Sequence, residues 1–130
     1  MKLLVAGTRG LQCDELLEQI LDNHPGITEI VSGMEPTGID ACGVRWADAH
    51  GIPVQPFPAE WNRYSRRSGD TLYTSNPAGF NRNEEMAVYC DGAVVIWDGS
   101  SPGSRDMLKR LRHYGKPVDE VVIGAPRLVF

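Results

Sequence analysis

The chain has 130 residues, 42% of them apolar and 23% charged, with few aromatics and no long polar or single-residue tract. That is the length of one domain and the composition of a globular one, which excludes collagen, a coiled coil and a disordered tail. No apolar run approaches the roughly 20 residues needed to cross a bilayer, and the opening stretch Met1 to Gly7 meets glycine too soon for a secretory h-region. The expectation is a single domain over residues 1–130, soluble, unexported and cytoplasmic.

A formal charge of −4 and a pI near 5.3 argue against a dominant electrostatic grip on nucleic acid, which would leave the domain basic. Ten of the 13 basic residues are Arg, the better planar, bidentate partner for phosphate. Cys13, Cys42 and Cys90 are odd in number and far apart, so neither a disulfide framework nor a CxxC metal site is indicated. His24, His50 and His113 are equally scattered, and no metal ligand set is expected.

In chain order, Lys2–Ala6 reads as a buried strand running into the glycine-rich turn Gly7-Thr8-Arg9-Gly10. Cys13, Leu16, Leu17, Ile20 and Leu21 fall on one helical face, and His24-Pro25-Gly26 ends that helix. Ile27–Val31 gives a second strand, followed by the turn-forming loop Ser32 to Gly38. A second helix spans about 38–50, with Ile39, Cys42, Gly43, Trp46 and Ala47 on its inner face and Gly51 closing it. Ile52–Phe57 carries Pro53 and Pro56, which suits a third strand at a sheet edge.

Residues 58–75 lack periodicity and mix polar, aromatic and basic side chains, a connection long enough to be functional. Asn76-Pro77 caps a third helix that continues through Phe80, Asn83, Met86, Ala87 and Cys90. Gly92–Trp97 is the clearest strand, running into Asp98-Gly99-Ser100-Ser101-Pro102-Gly103-Ser104. Met107, Leu108 and Leu111 mark a fourth helix, and Pro117–Ile123 a fifth strand. Alternating strands and helices imply parallel pairing with right-handed crossovers, hence a three-layer α/β sandwich.

In such a sheet, ligands bind at the carboxyl ends of the strands, beside the point where strand order reverses. Three strand-end loops are rich in glycine and hydroxyls and lead into helices: Gly7 to Gly10, Ser32 to Gly38 and Asp98 to Ser104. Helix N-termini offer unpaired N–H groups and partial positive charge, so converging loops of this kind cradle an anion. Neither GxxxxGK[ST] nor GxGxxG is present, which disfavours a P-loop NTPase and a dinucleotide fingerprint. Arg82, early in the third helix, reads as an anion clamp at this edge or as a surface Arg paired with a helical Glu. In the long loop, Trp61 and Tyr64 lie among Arg63, Arg66 and Arg67, a pattern that can stack a base under a lid or simply anchor a solvated loop.

The order GTRG, VSGMEPTGID, an AEW loop, PAGFNRNEEM, VIWDGSSPGSRDM and GKPV resembles the YspA-type (cpYpsA-related) branch of the SLOG superfamily over residues 3–118. That superfamily includes the LOG phosphoribohydrolases, the lysine-decarboxylase-like proteins and the DNA-processing protein DprA. The resemblance implies a Rossmann-like five-stranded sheet of order 3-2-1-4-5, a nucleotide-derived ligand, no cofactor, and a homodimer. It places Arg82 and Met86 on the Arg and Met of the LOG RKxxM stretch, with Asn83 in place of its Lys. Gly103 and Ser104 fall on the Gly-Thr of PGGxGTxxE, and the catalytic Glu of that motif falls on Met107, a thioether that can do no carboxylate chemistry.

The expected ligand and phosphate cradle is therefore Gly7, Thr8, Arg9, Gly33, Gly38, Arg82, Gly99, Ser100, Gly103 and Ser104. Asp40 and Asp98 are the carboxylates that could replace the missing Glu or read a ribose hydroxyl. The leading expectation is a nucleotide-binding module, of a kind that could serve as a sensor. The alternatives are an N-glycosidase or phosphoribohydrolase acting on nucleoside monophosphates, and a single-stranded nucleic-acid binder, which the acidic charge makes the weakest of the three.

Overall fold

The computed structural model describes residues 1–59 and 78–123. In chain order the elements are β1 (Lys2–Gly7), α1 (Asp14–Asp22), β2 (Glu29–Ser32), α2 (Gly38–Ala49), β3 (Val54–Pro56), α3 (Ala78–Tyr89), β4 (Gly92–Trp97), α4 (Pro102–His113) and β5 (Val118–Val122). The strands form one sheet of order β3-β2-β1-β4-β5, and every neighbouring pair is parallel. This is the expected α/β architecture and strand order.

Strand alternation divides the core in two. Leu3, Val5, Val94 and Ile96 point to one face, where they pack with Leu17 and Leu21 of α1 and Ile39, Cys42, Trp46 and Ala47 of α2. Leu4, Val31, Ala93, Val95 and Trp97 point to the other, against Met86 and Ala87 of α3 and Met107, Leu108 and Leu111 of α4. A period of two along each strand thus supplies both interfaces of a helix–sheet–helix sandwich. All six residues of β4 are buried, as befits a strand paired on both sides and covered on both faces.

Pro53 and Pro56 do place β3 at the sheet edge, but only three residues pair there, not the expected six. A proline contributes no ladder N–H, so Pro53 takes part only through its carbonyl, which accepts from the Ile30 N–H at 3.0 Å. Phe80 is another departure: it is 40% exposed, at the margin of the α3 face that buries Asn83, Met86 and Ala87.

The order of the sheet fixes where a crevice can open. From β1 the chain passes through α1 to β2, and from β4 through α4 to β5, on opposite faces of the sheet. The connections leave the carboxyl ends of β1 and β4 in opposite directions, so those two paired strands carry the switch point. Gly7, the last residue of β1, lies so close to β4 that a Cβ there would sit 1.9 Å from the Ile96 carbonyl oxygen. Only glycine lets the two strands remain this close while the chain turns toward α1.

Candidate ligand cavity

A cavity of about 310 Å³ lies above this switch point. Its floor is Ala6, Gly7, Met86 and Met107; one wall is Thr8, Asn83, Ser101, Pro102, Gly103 and Ser104, and the other is Arg9, Glu35, Asp40 and Arg82. The size falls at the lower end of small-molecule sites.

The first wall is built from uncharged groups around the start of α4. Pro102 opens that helix, where its missing N–H costs nothing. The loop before it is tied down from within: Asp98 Oδ1 accepts from the Ser100 and Ser101 N–H groups at 2.9 and 2.8 Å. These two bonds hold the Asp98 carboxyl below its ordinary range. Thr8 joins the loop to β1, its Oγ1 accepting from the Asp98 N–H at 3.2 Å and sharing a hydrogen bond with Ser101 Oγ at 3.1 Å. Across the cavity edge, Asn83 Nδ2 donates to the Gly103 carbonyl at 3.2 Å and to Asp106 Oδ2 at 3.0 Å, fixing α3 against the first turn of α4.

Charge dominates the second wall. Arg82 reaches from α3 across the cavity edge, and its Nη1 donates to the Gly33 carbonyl at 2.8 Å and the Phe57 carbonyl at 3.4 Å. Its Nη2 stands 3.5 Å from Glu35 Oε2, while Arg9 Nε stands 3.3 Å from Glu35 Oε1. Gly33 is what allows this: a Cβ there would lie 2.4 Å from Arg82 Nη1. Asp40, in the first turn of α2, is only 7% exposed and accepts from the Glu35 N–H through Oδ2 at 3.2 Å. Burial raises the Asp40 carboxyl to about 6, against the opposing pull of that N–H and of Arg82. Arg82 Nε is buried without a hydrogen-bond partner among the described residues.

The expected site residues thus divide. Gly7, Thr8, Arg9, Asp40, Arg82, Gly103 and Ser104 line the cavity together. Gly33 and Gly38 lie behind the wall, Gly33 beneath Arg82 and Gly38 at φ +76, with room for no Cβ beside the Arg9 carbonyl. Gly99, Ser100 and Asp98 are outside the lining; Asp98 spends an oxygen on its own loop. Trp61 and Tyr64, the expected lid, lie outside the described residues. Sequence reasoning did not single out Glu35, the acidic residue of the Ser32 to Gly38 loop. Among the described residues, no group of three or more His, Cys, Asp or Glu is placed to hold a metal ion, and no helix is long and apolar enough to cross a membrane.

Fold and switch point define a Rossmann-like α/β protein. Residues 1–64, from β1 through β3, match the model of the YspA, cpYpsA-related SLOG family. That match suggests binding of a nucleotide-related ligand in general. No curated protein and no solved structure gives a significant match.

Proposed function

We propose that the chain, acting as one domain over residues 1–130, binds a nucleotide or nucleotide-derived ligand in the cavity above β1 and β4. The observation that carries this reading is the meeting of the α4 N-terminus with the Gly7-Thr8-Arg9 turn at a crevice of small-molecule size. The first turn of a helix presents N–H groups without intrahelical partners, and an anion satisfies them. Ser101 and Ser104 supply hydroxyls beside those N–H groups, and Gly103 gives the backbone open access.

Gly103→Asp tests this directly. A Cβ at Gly103 meets nothing within 4 Å, and a carboxylate in the first turn favours the helix, so the variant should fold. It should lose at least tenfold in affinity for adenosine monophosphate by calorimetry, because its charge opposes the phosphate. Unchanged affinity in the folded variant would remove the phosphate from α4. Light scattering on the same sample reads whether the protein is the homodimer that the family resemblance implies.

One observation favours a second, enzymatic reading: Asp40 is buried in the cavity wall with its carboxyl raised to about 6, in the range where a group can both take and give a proton near neutrality. In this reading Asp40 assists water in splitting the N-glycosidic bond of a nucleoside monophosphate, giving free base and ribose 5-phosphate. Free-base signals growing over hours in an NMR panel of nucleoside monophosphates, absent with Asp40→Asn, would establish it. Ligand signals that broaden without new products would leave binding alone.

A further inference from the structure

The cavity's charge is unusual for a phosphate site. Its described lining holds four ionisable side chains, Arg9 and Arg82 against Glu35 and Asp40. Both arginines are paired with the same carboxylate. Glu35 takes one on each carboxylate oxygen, Arg9 Nε on Oε1 at 3.3 Å and Arg82 Nη2 on Oε2 at 3.5 Å. Arg82 is further committed to the Gly33 and Phe57 carbonyls. At neutral pH the wall sums close to zero, while the opposite wall of Thr8, Ser101, Gly103 and Ser104 offers neutral donors for one anionic group.

We propose that Glu35 is the specificity-determining residue of this cavity: it selects a ligand with a single phosphoryl group joined to a neutral, hydroxyl-bearing portion, against one with a second phosphoryl group next to the first. The inference rests on the phosphate seat at α4 argued above. With the phosphoryl group there, whatever follows it meets Glu35 and Asp40. A carboxylate has about four lone-pair sites, so Glu35 can hold both arginines and still accept from a hydroxyl. A sugar hydroxyl donates to that wall. A second phosphoryl group has only acceptor oxygens and negative charge to offer, and the arginines it would seek, Arg9 and Arg82, already share their charge with Glu35.

Glu35 is also well placed for a selective role because its position is set independently of any ligand. Its backbone N–H donates to Asp40 Oδ2 at 3.2 Å, and the Met34 N–H before it donates to Ser32 Oγ at 3.0 Å. Met34 itself adopts φ 62, a conformation that bulky residues rarely take, so this tight turn is specified by its surroundings.

The test compares ribose 5-phosphate with pyrophosphate as calorimetric ligands of the full chain, wild type and Glu35→Gln. The wild type should bind ribose 5-phosphate at least tenfold more tightly than pyrophosphate. Glu35→Gln keeps the shape and an acceptor oxygen but removes the charge, and should narrow that preference by tenfold or more, mainly by tightening pyrophosphate. A wild type that prefers pyrophosphate overturns the inference even if the variant fails to fold. A folded variant with an unchanged preference overturns it while leaving the phosphate seat standing. If neither ligand binds the wild type, and Gly103→Asp changes nothing, the seat at α4 falls and the inference with it.

Discussion

The two walls of the cavity hold their shape by opposite means. The wall at α4 is made of backbone, hydroxyl and amide groups, and the Asp98 carboxylate beside it is turned onto the Ser100 and Ser101 N–H groups. The wall at β2 is made of four ionisable side chains: Glu35 pairs with Arg9 and Arg82, Arg82 also holds the carbonyls of Gly33 and Phe57, and Asp40 holds the Glu35 N–H. Uncharged bonds secure the first, within the Asp98 to Ser101 turn and from Thr8, which ties that turn to β1. Contacts spanning 25 and 49 residues secure the second, joining α3 to the ends of β2 and β3. A neutral wall can offer its donors to an incoming anion at little cost. A charged wall that is already neutralised must instead be read as a selective surface.

The most severe way to break this contrast is to push the walls apart. Gly7→Val would force a Cβ to within 1.9 Å of the Ile96 carbonyl oxygen, which neither backbone can evade while β1 and β4 stay paired. Urea unfolding should show a loss of more than about 4 kcal/mol, the range reserved for backbone and core violations. Retained stability would mean that β1 and β4 are less closely held than described.

Asp40→Asn sharpens the charged wall alone. The folded carboxyl titrates at about 6, above its ordinary value of 3.8, so the native state holds the proton more tightly than the unfolded chain. The wild type therefore loses stability as pH rises from about 4 through about 6, and above that range the buried charge costs roughly 3 kcal/mol. The amide keeps an acceptor for the Glu35 N–H but never ionises. Its stability should exceed that of the wild type at pH 8, with the gap closing toward pH 4. Parallel stability curves from pH 4 to 8 would show that Asp40 is not desolvated.

Trp97→Phe makes the smallest change, behind the neutral wall. Trp97 Nε1 donates to Glu120 Oε2 at 2.8 Å, and Arg105 lies over the indole ring while donating to the Gly99 carbonyl. Loss of one hydrogen bond to a charged acceptor should cost about 1–2 kcal/mol, with affinity for adenosine monophosphate changed less than threefold. A larger drop in affinity would make the Trp97 side chain part of the wall's geometry and not only of its support.

Much of this layout was legible in the residues. Gly92–Trp97 announces a strand buried on both faces because six consecutive positions are apolar or small, and it is found with those bounds. Pro53 and Pro56 announce an edge. Glycines 7 and 103 announce strand-end turns open to a ligand, and both line the cavity. Asp98 was legible only as a carboxylate at a strand end. That its oxygen would be consumed within its own loop depends on the turn that Ser100 and Ser101 make, and no periodicity reports it.

Strand order separates what the sequence decided from what it could not. Hydrophobic periods of 2 and 3.6 are local, so the chain by itself determined the elements, the two-sided core and the glycine-rich strand ends. Those properties survive in any arrangement that buries the same faces. The pairing of Arg82 with Glu35 survives in only one. It brings together residues 47 positions apart, along with the Gly33 and Phe57 carbonyls, and no spacing rule connects them. The net charge of a cavity is a sum over side chains that only the packed sheet and helices bring within a few ångströms, and so the tertiary structure alone decided that two arginines at a phosphate-sized crevice share one glutamate.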